Sequence, residues 1–93
     1  MNIAENEKKN LEIINRHIEN GVVFYTSHGV IIEESVKIGK GTVIMPGTIL
    51  LGNTQIGENC TVGPNSMLKD TTLGDNVTFN SSQATESVVD DGA

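Results

Sequence analysis

The stretch Ile56–Ser66, "IGENCTVGPNS", sets Ile56–Gly57 and Val62–Gly63 six residues apart, and Ile38–Gly39 begins the same pattern upstream. A helix returns to one face about every 3.6 residues and a strand every second residue, so a six-residue beat belongs to neither alone. Written in sixes from Ile32, the chain reads IEESVK, IGKGTV, IMPGTI, LLGNTQ, IGENCT and VGPNSM. A five-residue unit, LKDTT, follows from Leu68; full units resume at Leu73 and Phe79, and a second short unit, TESV from Thr85, precedes Val89. An internal repeat of this kind outranks local propensity in deciding the fold.

Each position of the unit has a chemical reason. The first is branched and apolar and is expected to be buried. The fifth is small: Val36, Thr42, Thr48, Thr54, Cys60, Ser66, Thr72 and Val77. One large and one small inward side chain per unit suit a narrow interior. The fourth position reads Gly41, Gly47, Asn53, Asn59, Asn65 and Asn76, then Gly92. Glycine and asparagine are the residues that tolerate left-handed backbone. Each unit therefore holds a short strand and a tight corner. Three corners close a triangle, and stacked triangles form a parallel β-solenoid whose rungs repeat at about 4.8 Å.

Outward from the repeat, residues 1–21 differ in kind. They are rich in Asn, Glu and Lys, and Gly21 is their single glycine. Asn2 with Glu5 three residues on is a capping-box signature, and Asn20–Gly21 is a C-terminal stop. The reading is an amphipathic helix over 1–21 and a solenoid over 22–93. Ile3, Leu11, Ile14 and Ile18 lie near one helical face and form its expected contact stripe. Such a helix would plug one end of the stack, where unpaired strand edges otherwise invite association. The rhythm is still running at Ala93, so that end is expected to be open.

The formal charge of −6 argues against nucleic acid and anionic membranes. One cysteine excludes an internal disulfide framework. The polar start, "MNIAENEKKN", is unlike a signal peptide, and no apolar run reaches transmembrane length. The expected compartment is the cytoplasm.

Val36–Gly39, Gly52–Thr54, Ile56–Asn59, Val62–Ser66 and Leu73–Asp75 carry, in order, phrases that resemble one family. It is the bifunctional UDP-N-acetylglucosamine pyrophosphorylase and glucosamine-1-phosphate N-acetyltransferase family. The resemblance runs from about Asn10 to Ala93 and matches the linker helix and first coils. It implies a left-handed β-helix, just under four turns from Thr26 on, and assembly as a homotrimer. It also implies that neither family active site lies here. The glycine-rich phosphate loop has no counterpart, and the acetyltransferase residues would follow "DDGA". Thr26 and Ser27 stand where the family has Asp-Pro.

Against that background few residues invite chemistry. His28, in the turn-like Thr26–Gly29, is the one base that could be nominated if the chain were a minimal acyltransferase binding acetyl-CoA between subunits. An exposed turn histidine is the plainer reading. His17 lies off the Ile14/Ile18 stripe and is expected to be solvated. Cys60 occupies a small inward position, where a free cysteine behaves as a hydrophobe. Gly39–Thr42 lacks Walker spacing, and its glycines are hexad corners. Asp90 and Asp91 lack the further ligands a metal needs. The expected function is structural: a module without a cofactor, joining copies of itself or a larger hexapeptide-repeat protein through the open C-terminal end.

Overall fold

The computed structural model describes residues 2–93. It is a parallel β-solenoid with one N-terminal helix, α1 (Ile3–Glu19). The solenoid has three faces of four strands each. The first face holds β1 (Val23–Phe24), β4 (Val43–Ile44), β7 (Thr61–Val62) and β10 (Thr78–Phe79). The second holds β2 (Ile31–Ile32), β5 (Thr48–Leu51), β8 (Ser66–Lys69) and β11 (Gln83–Thr85). The third holds β3 (Lys37–Ile38), β6 (Gln55–Ile56), β9 (Thr72–Leu73) and β12 (Val88–Val89). Four rungs thus stack, the first beginning at Val23, ahead of Thr26, from which the resemblance counts its turns. The six-residue repeat is consistent with the left-handed winding that the resemblance implies. Among the described residues no helix is long and apolar enough to cross a membrane.

The unit's first position points inward as its chemistry demands. Ile32, Ile44, Leu50, Ile56, Val62, Leu68 and Leu73 are buried, and Ile38, Phe79 and Val89 pack against them partly buried. Their neighbours in sequence point out, so the strands are two-faced despite being so short. The small fifth position is buried too, and its hydroxyls are used. Thr42 Oγ1 donates to the Gly57 carbonyl at 2.8 Å and accepts from Cys60 N at 3.1 Å. Thr54 Oγ1 donates to the Leu51 carbonyl at 2.7 Å and accepts from Thr71 N at 3.3 Å. A buried hydroxyl without a partner would oppose folding; among the described residues no buried side-chain polar atom lacks one.

Three details of the repeat differ from the expectation. The left-handed residue in LLGNTQ is Gly52, with φ of 65°, and not Asn53. Asp70 and Glu86 take the equivalent place at the same edge of the prism, with φ of 49° each. In the five-residue unit from Leu68, Thr71 is the buried residue and Thr72 is exposed. Lys69 stays in register with Leu51 and Thr72 with Gln55, so the missing residue is lost after the Asp70 corner and Thr71 takes the inward place of Thr54. Finally, Ala84 sits in register with Leu68, and Val89 with Leu73. The chain from Phe79 therefore makes two five-residue sides, not a six and a four. A lost residue is absorbed at a corner because the inward register of each strand is fixed by burial.

The helix caps one end of the stack, but on a different face from the one expected. Asn2 Oδ1 accepts from Glu5 N at 2.9 Å, as an N-cap should. Ile13 and Ile14 are the buried pair, whereas Ile3, Leu11 and Ile18 remain exposed. The reason lies in Asn10. Its Nδ2 donates to the Val30 carbonyl at 2.7 Å and its Oδ1 accepts from Ile32 N at 3.0 Å. The side-chain amide thus pairs with the free edge of β2 as a neighbouring strand would. That contact fixes the rotation of the helix about its axis and brings Asn10, Ile13, Ile14 and His17 toward the solenoid.

Candidate functional site

The docked helix leaves a cleft on each side of itself where it crosses β2. One cleft, of about 460 Å3, is lined by Glu7, Leu11, Ser27, His28 and Ile31 among others. His28 is exposed and its backbone is well anchored. His28 N donates to Thr26 Oγ1 at 3.1 Å, and its carbonyl accepts from Gly47 N at 3.4 Å. A general base is ordinarily oriented by a second group on its other nitrogen. Among the described residues no hydrogen bond holds the His28 ring.

The second cleft, of about 530 Å3, has a floor of Ile13, Ile31 and Ile32 and a rim that includes Glu7 and Glu33. Lys9 Nζ lies 3.0 Å from Glu34 Oε2 across it. The hydrogen bond and the charge of Lys9 hold the Glu34 carboxyl below the usual range. Neither cleft is legible in the repeat, since each exists only once α1 is laid over the end of the prism.

His17 is half-buried, not solvated as expected. Burial, with the adjacent Arg16 charge adding to it, pushes its pKa below the ordinary value of 6.5. The folded chain therefore binds this proton less tightly than the unfolded chain. The sign follows: the contribution is complete above about pH 6.5 and is lost as pH falls through the lower folded value. Replacing His17 by Gln should shrink the drop in melting temperature between about pH 7.5 and 5.5. An identical drop in both proteins would mean that His17 is not the titrating group.

Cys60 is buried, with Sγ 3.0 Å from the Gly74 carbonyl oxygen, and no base lies on that short contact. The acidic side chains at two edges of the prism work along the stack. Asp70 Oδ1 accepts from Asn53 N at 2.9 Å, Asp75 Oδ1 from Glu58 N at 2.8 Å, and Asp91 Oδ1 from Asp75 N at 2.7 Å. Each carboxylate binds an amide of the preceding rung. Among the described residues no three His, Cys, Asp or Glu side chains gather as a metal site would require.

Comparison with known proteins gives this geometry a setting. Residues 35–70 match the family model described as bacterial transferase hexapeptide (six repeats). Bifunctional protein GlmU of Clostridium kluyveri is 39% identical over 88 residues, covering 94% of this chain and 19% of the relative. GlmU of Geobacillus sp. strain WCH70 is 43% identical over 88 residues, with 94% and 19% covered. That of Alkaliphilus oremlandii is 46% identical over 77 residues, with 83% and 17% covered. The chain spans about a fifth of the length of these relatives.

Proposed function

We propose that this chain, a hexapeptide-repeat protein related to one segment of bifunctional GlmU, is a structural module without catalysis of its own. Its role is to present a rigid capped prism whose outer faces assemble. The observation that supports this is how its repeated polar groups are used. The inward threonines and the corner aspartates bond backbone of the same or a neighbouring rung, so the periodic chemistry of the sequence serves stacking. The module needs no cofactor in this reading. Self-association is part of it: the resemblance implies a homotrimer, and docking onto a larger hexapeptide-repeat protein is the corresponding hetero-assembly. The cytoplasm is the compartment that fits it.

A second reading is favoured by one observation, the cleft that brings Glu7 and His28 together on its wall. There the chain would be a minimal acyltransferase, with acetyl-CoA bound between subunits and His28 as base. Calorimetric titration with acetyl-CoA separates the two. The structural reading expects no saturable heat from folded protein. Saturable binding that disappears in His28→Ala would replace it with the acyltransferase reading.

A further inference from the structure

The larger cleft beside α1 is lined by residues of the helix and of the first rung alone, so it makes no demand on the prism faces below that rung. Its floor is apolar, and Ile31, which borders it, is 49% exposed. The groups around that floor are chemically one-sided. Glu7 and Glu33 are exposed carboxylates on its wall. Glu33 Oε1 accepts from Gly52 N at 2.8 Å, which holds this carboxylate in place and leaves its charge. Lys9, the one cation lining the cleft among the described residues, is held by Glu34 at 3.0 Å.

A third acceptor comes from the strand edge. In a parallel ladder the N–H and carbonyl of one residue face the same neighbour. Ile32 N faces the helix and donates to Asn10 Oδ1 at 3.0 Å, whereas Glu33 N turns to the next rung and donates to the Leu50 carbonyl at 3.0 Å. The Ile32 carbonyl therefore faces the helix side as well. The donor of the Asn10 amide is directed at the Val30 carbonyl instead, at 2.7 Å. An apolar floor is thus flanked by two carboxylates and a backbone carbonyl, all of which accept hydrogen bonds.

We propose that this cleft receives a basic, apolar segment of a partner protein, with an arginine guanidinium on Glu7 and Glu33 and an aliphatic side chain on Ile31. This rests on the reading of the chain as a docking module. Charge complementarity selects the partner. A guanidinium offers N–H donors in a planar fork that carboxylates accept in pairs, and its stem lies along apolar surface. An acidic segment would bring like charge to the rim of a chain already at −6, which electrostatic repulsion opposes. The cleft's volume of about 530 Å3 lies within the range of ligand-binding clefts.

Fluorescence anisotropy with a fluorescein-labelled hexapeptide of alternating leucine and arginine tests this, beside leucine–glutamate and leucine–serine counterparts. The expected result is saturable binding of the arginine peptide alone, in the high micromolar range, with amide shifts at Ile13, Ile32 and Glu34 in two-dimensional spectra. Glu7→Gln with Glu33→Gln should weaken binding roughly 10-fold. Glutamine keeps an acceptor for Gly52 N, and a circular dichroism spectrum checks that the folds match. Glu12→Gln with Glu19→Gln makes the same change of charge at exposed positions that do not line the cleft, and should leave binding unchanged. Equal weakening by the two pairs, equal binding of the three peptides, shifts confined to Ser27 and His28, or no saturation at millimolar peptide would overturn the proposal. Saturable acetyl-CoA binding lost in His28→Ala would instead overturn the silent-module reading and leave the peptide result standing.

Discussion

Asn10→Ala should cost about 3 kcal/mol and lower the melting temperature by roughly 15 °C. The alanine leaves the Val30 carbonyl and the Ile32 amide without the partners they have at 2.7 and 3.0 Å. Both residues are 2% exposed, and the helix above them restricts the entry of replacement water. Two unsatisfied backbone groups at about 1–3 kcal/mol each set the scale. Asn10→Asp distinguishes pairing from size. It keeps the acceptor for Ile32 N but turns a carboxylate oxygen toward the Val30 carbonyl, so it should be no better than alanine. Urea denaturation of the three proteins checks this. If Asn10→Asp matched the parent, or Asn10→Ala lost less than about 1 kcal/mol, the amide would not be what docks the helix.

Gly39→Ala should be at least as damaging, at about 3 kcal/mol or more, the upper end of what overpacking costs. A Cβ there would lie 2.7 Å from both the carbonyl carbon and oxygen of Gly57 and 2.8 Å from Glu58 N. Those atoms are backbone, and they belong to the adjacent rung. Gly39 N donates to the Ile56 carbonyl at 2.8 Å, so the rungs cannot separate locally without breaking the ladder. The glycine is needed for close approach, since its backbone is not left-handed. Gly92→Ala is the contrasting control. Its φ is 76° and an added Cβ meets nothing within 4 Å, so only the left-handed strain of about 1 kcal/mol remains. Equal losses at the two positions, read from denaturation midpoints, would refute the close-approach account.

Much of the candidate chemistry was legible because the repeat restricts it. Cys60 occupies a fifth position, and burial is what that position means. By the repeat, Gly39 and Gly41 are both corners and not a phosphate loop; in the structure Gly41, with φ of 78°, is a corner, whereas Gly39 is not left-handed and serves rung contact instead. His28 was legible as a turn residue. Its neighbourhood was not, since Glu7 and Leu11 reach it from a helix about 20 residues away in sequence, and no periodic signal links them. His17 was misread for the same reason. Its exposure depends on which helical face docks, and of the apolar stripe read from α1 only Ile14 is buried, while Ile3, Leu11 and Ile18 stay exposed.

The sequence alone determined the solenoid. A six-residue alternation of large and small inward residues, with Gly or Asn at the corners, has few other ways to bury its apolar side chains and satisfy its backbone. The capped helix was equally local, written in Asn2, Glu5 and Gly21. Tertiary structure alone decided how the short units divide, because each strand must match the inward residue of the rung below rather than keep count. It also decided the rotation of the helix. Ile13 and Ile14 were buried over Ile3, Leu11 and Ile18 by two hydrogen bonds from Asn10 to a strand edge, and that edge exists only after the first rung has closed.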